Sequence, residues 1–279
     1  MNKVLVVGCG DLGATVAVRL AELGFETIGL KRRSANIKGI TVIQADVTQP
    51  ETLISLHEIQ PDILIYCVAA SGQTDEQYKA QYVDGLRNIL ASQQQNSTLK
   101  HVFFVSSTRV YGQATDELLS EADVATPADF GGERLLEAEN LLNNLSCGHT
   151  ALRLSGIYGP GRLRMINLAK LPENWPAHNS WTNRIHRDDA AAFIVFLVQQ
   201  AVAANPIENC YIVTDSKPAS QYEVLGWIAE RLNTNKPSNT PAVEGGKRLS
   251  NQAMLATGFQ LQYSDFKTGY QALLESAPT

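Results

Sequence analysis

Residues 3–13, with the sequence KVLVVGCGDLG, contain the pattern that decides the fold. The first five form an apolar run rich in valine, which is typical of a strand buried on both faces of a parallel sheet. Three glycines follow at the spacing Gly-x-Gly-x-x-Gly, and an amphipathic helical pattern begins at Asp11. The stretch therefore predicts a strand, a tight glycine turn and a helix in direct succession.

The three glycines suit a turn that holds a dinucleotide. Gly8 permits the tight turn, Gly10 lets a pyrophosphate approach the backbone, and Gly13 lets the helix pack closely on the strand. The free N–H groups of the following helix attract the phosphates. The alternative is a tight turn that binds no ligand. We expect the cofactor loop to consist of Gly8, Gly10, Asp11, Leu12 and Gly13.

The residues after the predicted second strand indicate which cofactor is bound. A chain that binds NAD usually has an Asp or Glu about 20 residues beyond the glycine loop. Lys31, Arg32 and Arg33 occupy that place here. Guanidinium groups bind phosphate bidentately, so the cluster favours the 2′-phosphate of NADP, and NAD stays open. The alternative is a solvated run of charge at a strand end.

The first half of the chain alternates predicted strands (3–7, 26–30, 40–45, 62–69 and 101–106) with predicted helices (11–23, 50–59 and 75–95). This repetition predicts an α/β fold: a Rossmann-type, doubly wound parallel sheet covered by helices on both faces. Ligands of such sheets bind beyond the carboxyl ends of the strands. We therefore also expect cofactor contacts from residues that follow the third and fourth strands: Asp46, Val47, Val68, Ala69 and Ala70.

The second half is less regular. Its patterns predict helices over 130–145, 188–204 and 220–232, strands over 150–155 and 210–214, and two short helices within 251–275. The segments 160–183 and 233–247 are predicted as mainly loop because of their prolines and glycines. We expect residues 1–155 to form the nucleotide-binding domain. We expect residues 156–279 to form mainly a smaller α/β substrate lobe, with segments that return to the first domain.

Composition excludes several classes of protein. The chain has 279 residues, of which 44% are hydrophobic and 18% are charged, and its net charge is −5. Such a chain can bury a core without a metal or disulfide, and it has no basic surplus for nucleic acid or an anionic membrane. Its four cysteines form no Cys-x-x-Cys or Cys/His cluster, so no metal site is expected. It shows no secretion signal or membrane-spanning run, which predicts a cytoplasmic location.

Five motifs occur in order along the chain: 8–13, 67–70, 105–112 (VSSTRVYG), 153–161 (RLSGIYGPG) and 184–190 (RIHRDDA). Together they resemble the extended short-chain dehydrogenase/reductases, the NAD(P)-dependent sugar-nucleotide epimerase/dehydratase family, over roughly the whole chain. The resemblance implies an oxidoreductase or isomerase that takes a small polar, sugar-like substrate, such as a sugar nucleotide, between two domains. It also implies a homodimer formed through the helices that match 75–95 and 130–145.

The resemblance implies roles for residues only where the motifs match. Ser107 matches the hydroxyl that binds the reacting oxygen of the substrate. The family's acid/base tyrosine and its lysine partner fall on Phe130 and Arg134, which cannot supply that proton exchange. Tyr111 is then a candidate substitute, so the catalytic candidates are Ser107, Tyr111, Phe130 and Arg134.

The remaining motifs imply substrate contacts from Tyr158, Arg184 and His186, of which Tyr158 and His186 are further candidates for the acid/base. Asp188 also fits an ordinary helix N-cap. Two functions remain open at this point. One is an atypical epimerase/dehydratase-like enzyme, and the other is a catalytically silent NADP-binding sensor or regulatory protein, which the phenylalanine at position 130 favours.

Overall fold

The computed structural model describes residues 1–276. Its strands, in chain order, are β1 (Lys3–Val7), β2 (Glu26–Lys31), β3 (Thr41–Gln44), β4 (Ile63–Tyr66), β5 (His101–Ser107), β6 (Leu118–Leu119), β7 (Gly148–Leu154), β8 (Gly156–Tyr158), β9 (Asn179–Thr182), β10 (Arg184–His186), β11 (Cys210–Val213), β12 (Ala219–Ser220), β13 (Val243–Gly246) and β14 (Arg248–Leu249).

The α-helices are α1 (Asp11–Glu22), α2 (Asp75–Tyr78), α3 (Gly85–Ser92), α4 (Phe130–Leu142), α5 (Arg164–Ala169), α6 (Arg187–Val202), α7 (Gln221–Arg231), α8 (Gln252–Ala256) and α9 (Phe266–Ser276). A π-helical turn, Lys79–Asp84, joins α2 to α3. Short 3₁₀ segments lie at Pro50–Glu58, Thr108–Val110 and Pro172–Asn174.

Seven strands form the main sheet, in the order β11-β7-β5-β4-β1-β2-β3. The pairs from β3 across to β5 are parallel. The connections run outward in opposite directions from β1 and β4, which makes the carboxyl ends of these two strands the topological switch point where such sheets bind ligands. The predicted doubly wound α/β fold is confirmed.

The central strands are apolar because both of their faces are covered. Every residue of β4 and the last four residues of β1 are buried. Helix α1 turns its buried side chains, among them Val16 and Leu20, toward the core at the spacing that its sequence predicts. Its start at Asp11 therefore lies directly after the end of β1, with only the glycine turn between them.

The predicted helix over 75–95 is a helix interrupted by the π turn. The hydroxyl of buried Tyr66, at the end of β4, donates a hydrogen bond to the carbonyl of Gln81 within that turn. A Cβ on Gly85 would lie 2.5 Å from the Tyr66 hydroxyl oxygen, so the glycine makes room for the phenol. The hydrogen bond from the Tyr66 hydroxyl to the Gln81 carbonyl thus fixes the wider π turn. A side chain that inserts into the backbone hydrogen bonds of a helix is a recognised cause of helix irregularity.

A buried ion pair attaches α4 to the sheet. Arg153 on β7 donates to both carboxylate oxygens of Glu139, with a shortest distance of 2.7 Å from Nη2 to Oε2. The Ser106 hydroxyl donates to the same carboxylate at 2.5 Å. Burial tends to lower the pKa of Arg153, but Glu139 holds it above its ordinary value. The pair fixes the position of α4 along β5 and β7.

The chain divides into two compact units. The first comprises Met1–Gly112, Ala125–Arg153 and Ala191–Tyr211, and the second comprises Gln113–Val124, Leu154–Ala190 and the chain from Ile212 onward. The predicted roles of residues 1–155 in nucleotide binding and of residues 156–279 in substrate binding are not tested by this division, and they stay predictions.

The second unit contains small sheets and an aromatic core. Strand β9 lies between β12 and β13, while β10 pairs with β8 and β14 with β6. The regions predicted as mainly loop therefore also contain α5, β9 and β13. Strand β13 escaped prediction because its pairing rests on backbone groups and on Gly245 and Gly246, whose φ angles of 73° and 77° are open to glycine.

The start of α6 differs from the sequence prediction. The helix begins at Arg187, so Asp188 lies in its first turn and is not the N-cap. Its carboxylate accepts hydrogen bonds from the Arg187 guanidinium, each at 3.1 Å. A carboxylate in the first turn is still favourable there, because the helix dipole is positive at that end.

Several buried polar atoms of the second unit have no hydrogen-bond partner among the described residues, and three of them belong to side chains that influence one another electrostatically. These three are Tyr158 Oη, Arg184 Nη1 and Asp215 Oδ2. Asp215 is only 1% exposed. Burial raises its pKa to about 7, although Arg184 opposes the shift, and the carboxylates of Asp265 and Asp189 add to it.

We expect Asp215 to make the second unit less stable as the pH rises. Between about pH 4 and pH 7 the folded chain keeps the Asp215 proton, which the unfolded chain has lost. The free energy of unfolding should therefore fall by up to about 1.4 kcal/mol per pH unit in that window. Asp215→Asn removes this titration. Urea unfolding of the variant and the parent from pH 4.5 to 8 should show the variant gaining stability relative to the parent as the pH rises.

The comparison with the parent is needed because buried His101 titrates in the opposite sense. Burial lowers its pKa to about 4, so it favours folding as the pH rises toward 6.5. That contribution is common to both proteins and cancels in the difference. Glu244→Gln, which removes an exposed carboxylate of β13, controls for the loss of one acid. Parallel stability curves for Asp215→Asn and the parent would contradict the prediction.

Candidate functional site

The glycine turn after β1 is shaped by close packing at two of its glycines. Gly8 has a φ of 95°, and a Cβ there would lie 2.6 Å from the Cys67 carbonyl oxygen. A Cβ on Gly13 would lie 2.3 Å from the carbonyl oxygen of Gly8. Both distances are too short for any side chain. These two glycines are therefore required by the fold of the turn itself.

Gly10 is different, because no atom of residues 1–276 outside its chain neighbours lies where its side chain would be. It is exposed, it precedes α1 as the N-cap residue, and a Cβ there would meet no atom within 4 Å. The open space lies at the end of α1 where unpaired N–H groups and the helix dipole attract anions. Asp11 and Leu12 form the first turn of that helix. The turn fits a pyrophosphate, as the sequence predicts.

Cys9 fills the space under the turn. Its thiol contacts the Val6 carbonyl at 3.5 Å, and a Cβ on Gly29 would lie 2.6 Å from its sulfur. Burial raises the pKa of Cys9 to about 11. The thiol is therefore a packing group and not a nucleophile.

The other predicted cofactor residues lie at the carboxyl ends of neighbouring strands of the first unit. Lys31 ends β2 and is half-buried, and Arg32 and Arg33 follow it with exposed side chains. Asp46 closes a turn after β3 by accepting hydrogen bonds from the Thr48 backbone and hydroxyl at 2.9 and 2.8 Å. Its carboxylate is therefore already used within its own loop.

Val47 is buried beside this loop, while the segment after β4 is more open. Val68 and Ala70 are half-buried and Ala69 is exposed. The Ala70 N–H donates to the Tyr82 hydroxyl at 3.4 Å. The parallel pairing of β1 with β2 and β4 brings these strand ends to the same edge of the sheet. The cofactor contacts as a set stay a prediction.

Ser107 is the last residue of β5. Its hydroxyl accepts a hydrogen bond from the Arg109 N–H at 3.2 Å and caps the 3₁₀ turn Thr108–Val110. The side chain is half-buried, so the hydroxyl proton is free to point to a ligand oxygen while Oγ accepts from the backbone. This geometry is compatible with the predicted role.

Helix α4 begins at Phe130, directly after Asp129, whose carboxylate caps it by accepting from the Gly132 N–H at 2.9 Å. One turn later the Arg134 guanidinium forms a bidentate pair with Asp75, at 2.7 and 2.9 Å. It also donates to Glu137 at 2.7 Å. The hydrogen bond from Arg134 holds the pKa of Asp75 below its usual value. Arg134 is therefore committed to two carboxylates.

The structure adds Arg109, which the sequence analysis did not single out. Its Nε donates to both carboxylate oxygens of Asp129 at 2.9 and 3.1 Å, and its Nη1 donates to the Tyr78 hydroxyl at 2.7 Å. A Cβ on Gly131 would lie 2.4 Å from the Arg109 Cζ, so the guanidinium rests on the first turn of α4. The signal in the sequence is the Gly131-Gly132 pair, which is unusual inside a helix.

Tyr111, the predicted substitute acid/base, is buried in the first unit. Its side chain is 0% exposed, and its hydroxyl accepts a hydrogen bond from Arg153 Nη1 at 2.6 Å. It thus belongs to the buried network around Glu139. The role of Tyr111 as a substitute acid/base stays a prediction. The sequence motif shows that Tyr111 follows β5, but not that its side chain contacts Arg153.

The predicted substrate residues Tyr158, Arg184 and His186 are also buried, all within the second unit. The Tyr158 ring packs against His186 and Tyr270, at centroid distances of 5.2 and 4.4 Å. Burial raises the pKa of Tyr158. As the structure stands, these side chains form the interior of that unit and offer no surface to a substrate.

Over residues 1–276 no helix is long and apolar enough to cross a membrane. The described His, Cys, Asp and Glu side chains form no group that could hold a metal ion.

Comparisons with known proteins agree with this architecture. A structure from Methylobacillus flagellatus, described as an NAD-dependent epimerase/dehydratase, is 50% identical, with a TM-score of 0.91 over 99% of this chain and 98% of that one. Protein YeeZ of Escherichia coli strain K12 is 26% identical over 95% of this chain and 97% of its own.

The Bordetella bronchiseptica enzyme WbmG, solved in complex with NAD and UDP, is 16% identical, with a TM-score of 0.80 over 98% of this chain and 93% of its own. At that identity the likeness shows the fold alone. Residues 4–210 match the model of the NAD dependent epimerase/dehydratase family. This match covers most of the chain and agrees with the glycine turn and the strand order, so the protein belongs to the NAD-dependent epimerase/dehydratase family.

Proposed function

We propose that this protein is an NAD(P)-dependent oxidoreductase or isomerase that acts on a sugar nucleotide. The observation that carries the proposal is the contrast within the glycine turn. Gly8 and Gly13 are fixed by packing, whereas the space above Gly10 is open at the start of α1. A turn kept only for its shape has no need of that glycine. Family membership and the nucleotide bound to WbmG support the class of substrate.

The residues of the first unit would bind the cofactor and orient the substrate. The backbone from Gly8 to Gly13 and the start of α1 would hold the pyrophosphate, and residues after β3 and β4 would hold the adenosine end. When bound, the nicotinamide supplies a reversible hydride acceptor. Ser107 would donate a hydrogen bond to the reacting oxygen of the substrate and fix its orientation. The second unit would supply the substrate lobe.

The same proposal includes a preference for NADP over NAD, which the basic residues after β2 support. Arg32 and Arg33 are exposed, and Lys31 precedes them at the strand end. A charge-assisted hydrogen bond to a phosphate contributes roughly 1.5–3 kcal/mol. One or two such bonds would favour NADP over NAD.

A catalytically silent NADP-binding sensor is the second candidate. Phe130 has no exchangeable proton. Arg134 already donates hydrogen bonds from Nε, Nη1 and Nη2 to Asp75 and Glu137, so its guanidinium has no free pair of donors for a ribose. A homodimer formed through the π-interrupted helix and α4 also stays a proposal. Turnover separates the two functions, because both require the cofactor.

We expect the protein, incubated with NAD or NADP, to convert at least one of UDP-glucose, UDP-glucuronic acid and dTDP-glucose. Product analysis by NMR would detect an epimer, a dehydrated sugar or an oxidised sugar. Ser107→Ala should lower turnover about tenfold or more, since a lost hydrogen bond to the reacting oxygen costs about 1.4 kcal/mol. Cofactor binding without conversion of any of the three sugars would favour the sensor.

Gly10→Ala should separate cofactor binding from folding. The added methyl group meets no protein atom but fills the space proposed for the pyrophosphate. We expect the affinity for the cofactor to fall about tenfold or more, measured by titration calorimetry, while Tm falls by no more than a few degrees. Gly13→Ala is the contrasting variant, because its methyl group collides with backbone and should destabilise the fold. Unchanged affinity in Gly10→Ala would remove the main support for the proposal.

The double variant Arg32→Glu with Arg33→Glu should reverse the cofactor preference. We expect the affinity for NADP to fall at least about tenfold while that for NAD changes little, because only NADP carries the phosphate. Arg162→Glu with Arg164→Glu makes the same charge change at exposed residues of the second unit and serves as the control. Equal loss in both double variants would mean that net charge, and not a phosphate site, sets the affinity.

A further inference from the structure

A phenol from another helix lies beside Phe130, the residue on which the motif match places the family's tyrosine. The Tyr78 ring meets the Phe130 ring edge-on, with 5.4 Å between the centroids and 89° between the planes. Tyr78 is the last residue of α2, whereas Phe130 is the first of α4. The first unit thus offers a hydroxyl next to the position where the motif match expects one.

The Tyr78 hydroxyl already has the partners that a proton-exchanging phenol needs. It accepts a hydrogen bond from Arg109 Nη1 at 2.7 Å and donates one to Gln73 Oε1 at 3.3 Å. The Arg109 cation also lies over the Tyr78 ring, with its Cζ 5.0 Å from the centroid. These contacts place a positively charged group both at the Tyr78 hydroxyl oxygen and over its ring.

Arg109 is held so that its guanidinium cannot leave the phenol easily. Asp129 binds its Nε, and the Phe130 ring lies 5.3 Å from its Cζ. Partial burial tends to raise the pKa of Asp129, but hydrogen bonds from the Gly132 N–H and Arg109 hold it below its usual value. Asp129 therefore stays ionised near neutral pH and anchors the cation.

The fold also fixes Tyr78. Only 7% of this residue is exposed, and the π turn that starts at Lys79 is pinned by the Tyr66 hydroxyl on Gln81. Nearby Tyr82 does not offer the same arrangement, because its hydroxyl accepts from Ala70 and burial raises its pKa. Arg109 is partly exposed, so the cluster lies at the surface of the first unit and not in its core.

We propose that Tyr78 is the acid/base of this protein and that Arg109 is its cationic partner, in place of the tyrosine and lysine that Phe130 and Arg134 replace. The inference rests on the proposed function. In the reducing direction, the chemistry that a bound reduced nicotinamide would supply is a hydride for the substrate carbonyl carbon. The carbonyl oxygen takes the Tyr78 hydroxyl proton, which leaves a phenolate beside Arg109 that regains a proton from water. Oxidation of the alcohol runs through the same atoms in reverse.

The first test needs no activity and no cofactor. In protein labelled with ¹⁵N on arginine, Tyr78→Phe should shift the Nε–H signal of Arg109, which Arg109→Lys identifies by its loss. Tyr211→Phe is the control, because it removes the hydroxyl of another buried tyrosine of the first unit, one that accepts from the Glu208 N–H. An Arg109 signal that does not respond to Tyr78→Phe would overturn the pairing.

The second test asks whether the hydroxyl does the chemistry. With a sugar nucleotide that the parent converts, Tyr78→Phe should lower kcat about 100-fold or more, since general acid–base catalysis supplies that factor. The Kd for NADP should change less than about threefold. Adding Phe130→Tyr to Tyr78→Phe should recover about tenfold of the loss, because it returns a phenol to the neighbouring position. Tyr211→Phe should keep the parent's kcat.

The outcomes separate this inference from the proposed function. Turnover in the parent that survives Tyr78→Phe overturns the acid/base assignment and leaves the proposed function intact. A parent that binds cofactor but converts none of the three sugar nucleotides overturns the proposed function, and the acid/base assignment falls with it. A loss in Tyr78→Phe that Phe130→Tyr does not relieve at all would assign Tyr78 to structure and overturn the inference.

Discussion

The buried pair between Glu139 and Arg153 is the constraint on which the candidate site depends. Moving a carboxylate and a guanidinium out of water into a protein interior costs free energy. Removing one partner of such a buried pair commonly lowers the free energy of unfolding by about 3–5 kcal/mol. Their main effect is therefore on position: the Glu139–Arg153 pair links α4 to β7 at a defined register, with Ser106 and Tyr111 completing the network. The first residue of α4, Phe130, lies about two and a half turns before Glu139, so its position depends on that register.

That register decides which side chains meet at the start of α4. Asp129 caps the helix and binds Arg109 from the end of β5, and the glycine at position 131 leaves room for the guanidinium. The same turn brings Phe130 against Tyr78 from the π-interrupted helix. One helix contains a glycine pair and the other contains a π turn. Both irregularities lie next to the contact between Phe130 and Tyr78. Local helix stability is given up there, which is common where a fold builds a site.

The sequence predicted what local patterns encode. The apolar run of β1 and the spacing of the glycines determine the turn, and strict alternation of strands and helices determines the sheet. Contacts across long separations were not predicted, because periodicity says which face is buried and not what it meets. Arg134 pairs with Asp75, 59 positions away, and Tyr111 lies under Arg153, 42 positions away. Arg109 was overlooked because it follows the motif serine without any periodic signal of its own.

The two arginines near the start of α4 differ in their charge balance, and this difference bears on catalysis. Arg134 faces two carboxylates, Asp75 and Glu137, so the group as a whole is negative and its donors are occupied. Arg109 faces one carboxylate and a phenol, which leaves the group neutral with one donor directed at an oxygen that can change its charge. If Tyr78 loses its proton, the group of Arg109, Asp129 and Tyr78 becomes negative. It then has the same net charge that Arg134, Asp75 and Glu137 carry without any proton transfer. Of these two cations, Arg109 is therefore the one placed to respond to a proton transfer, while Arg134 anchors α4 through Asp75 and Glu137.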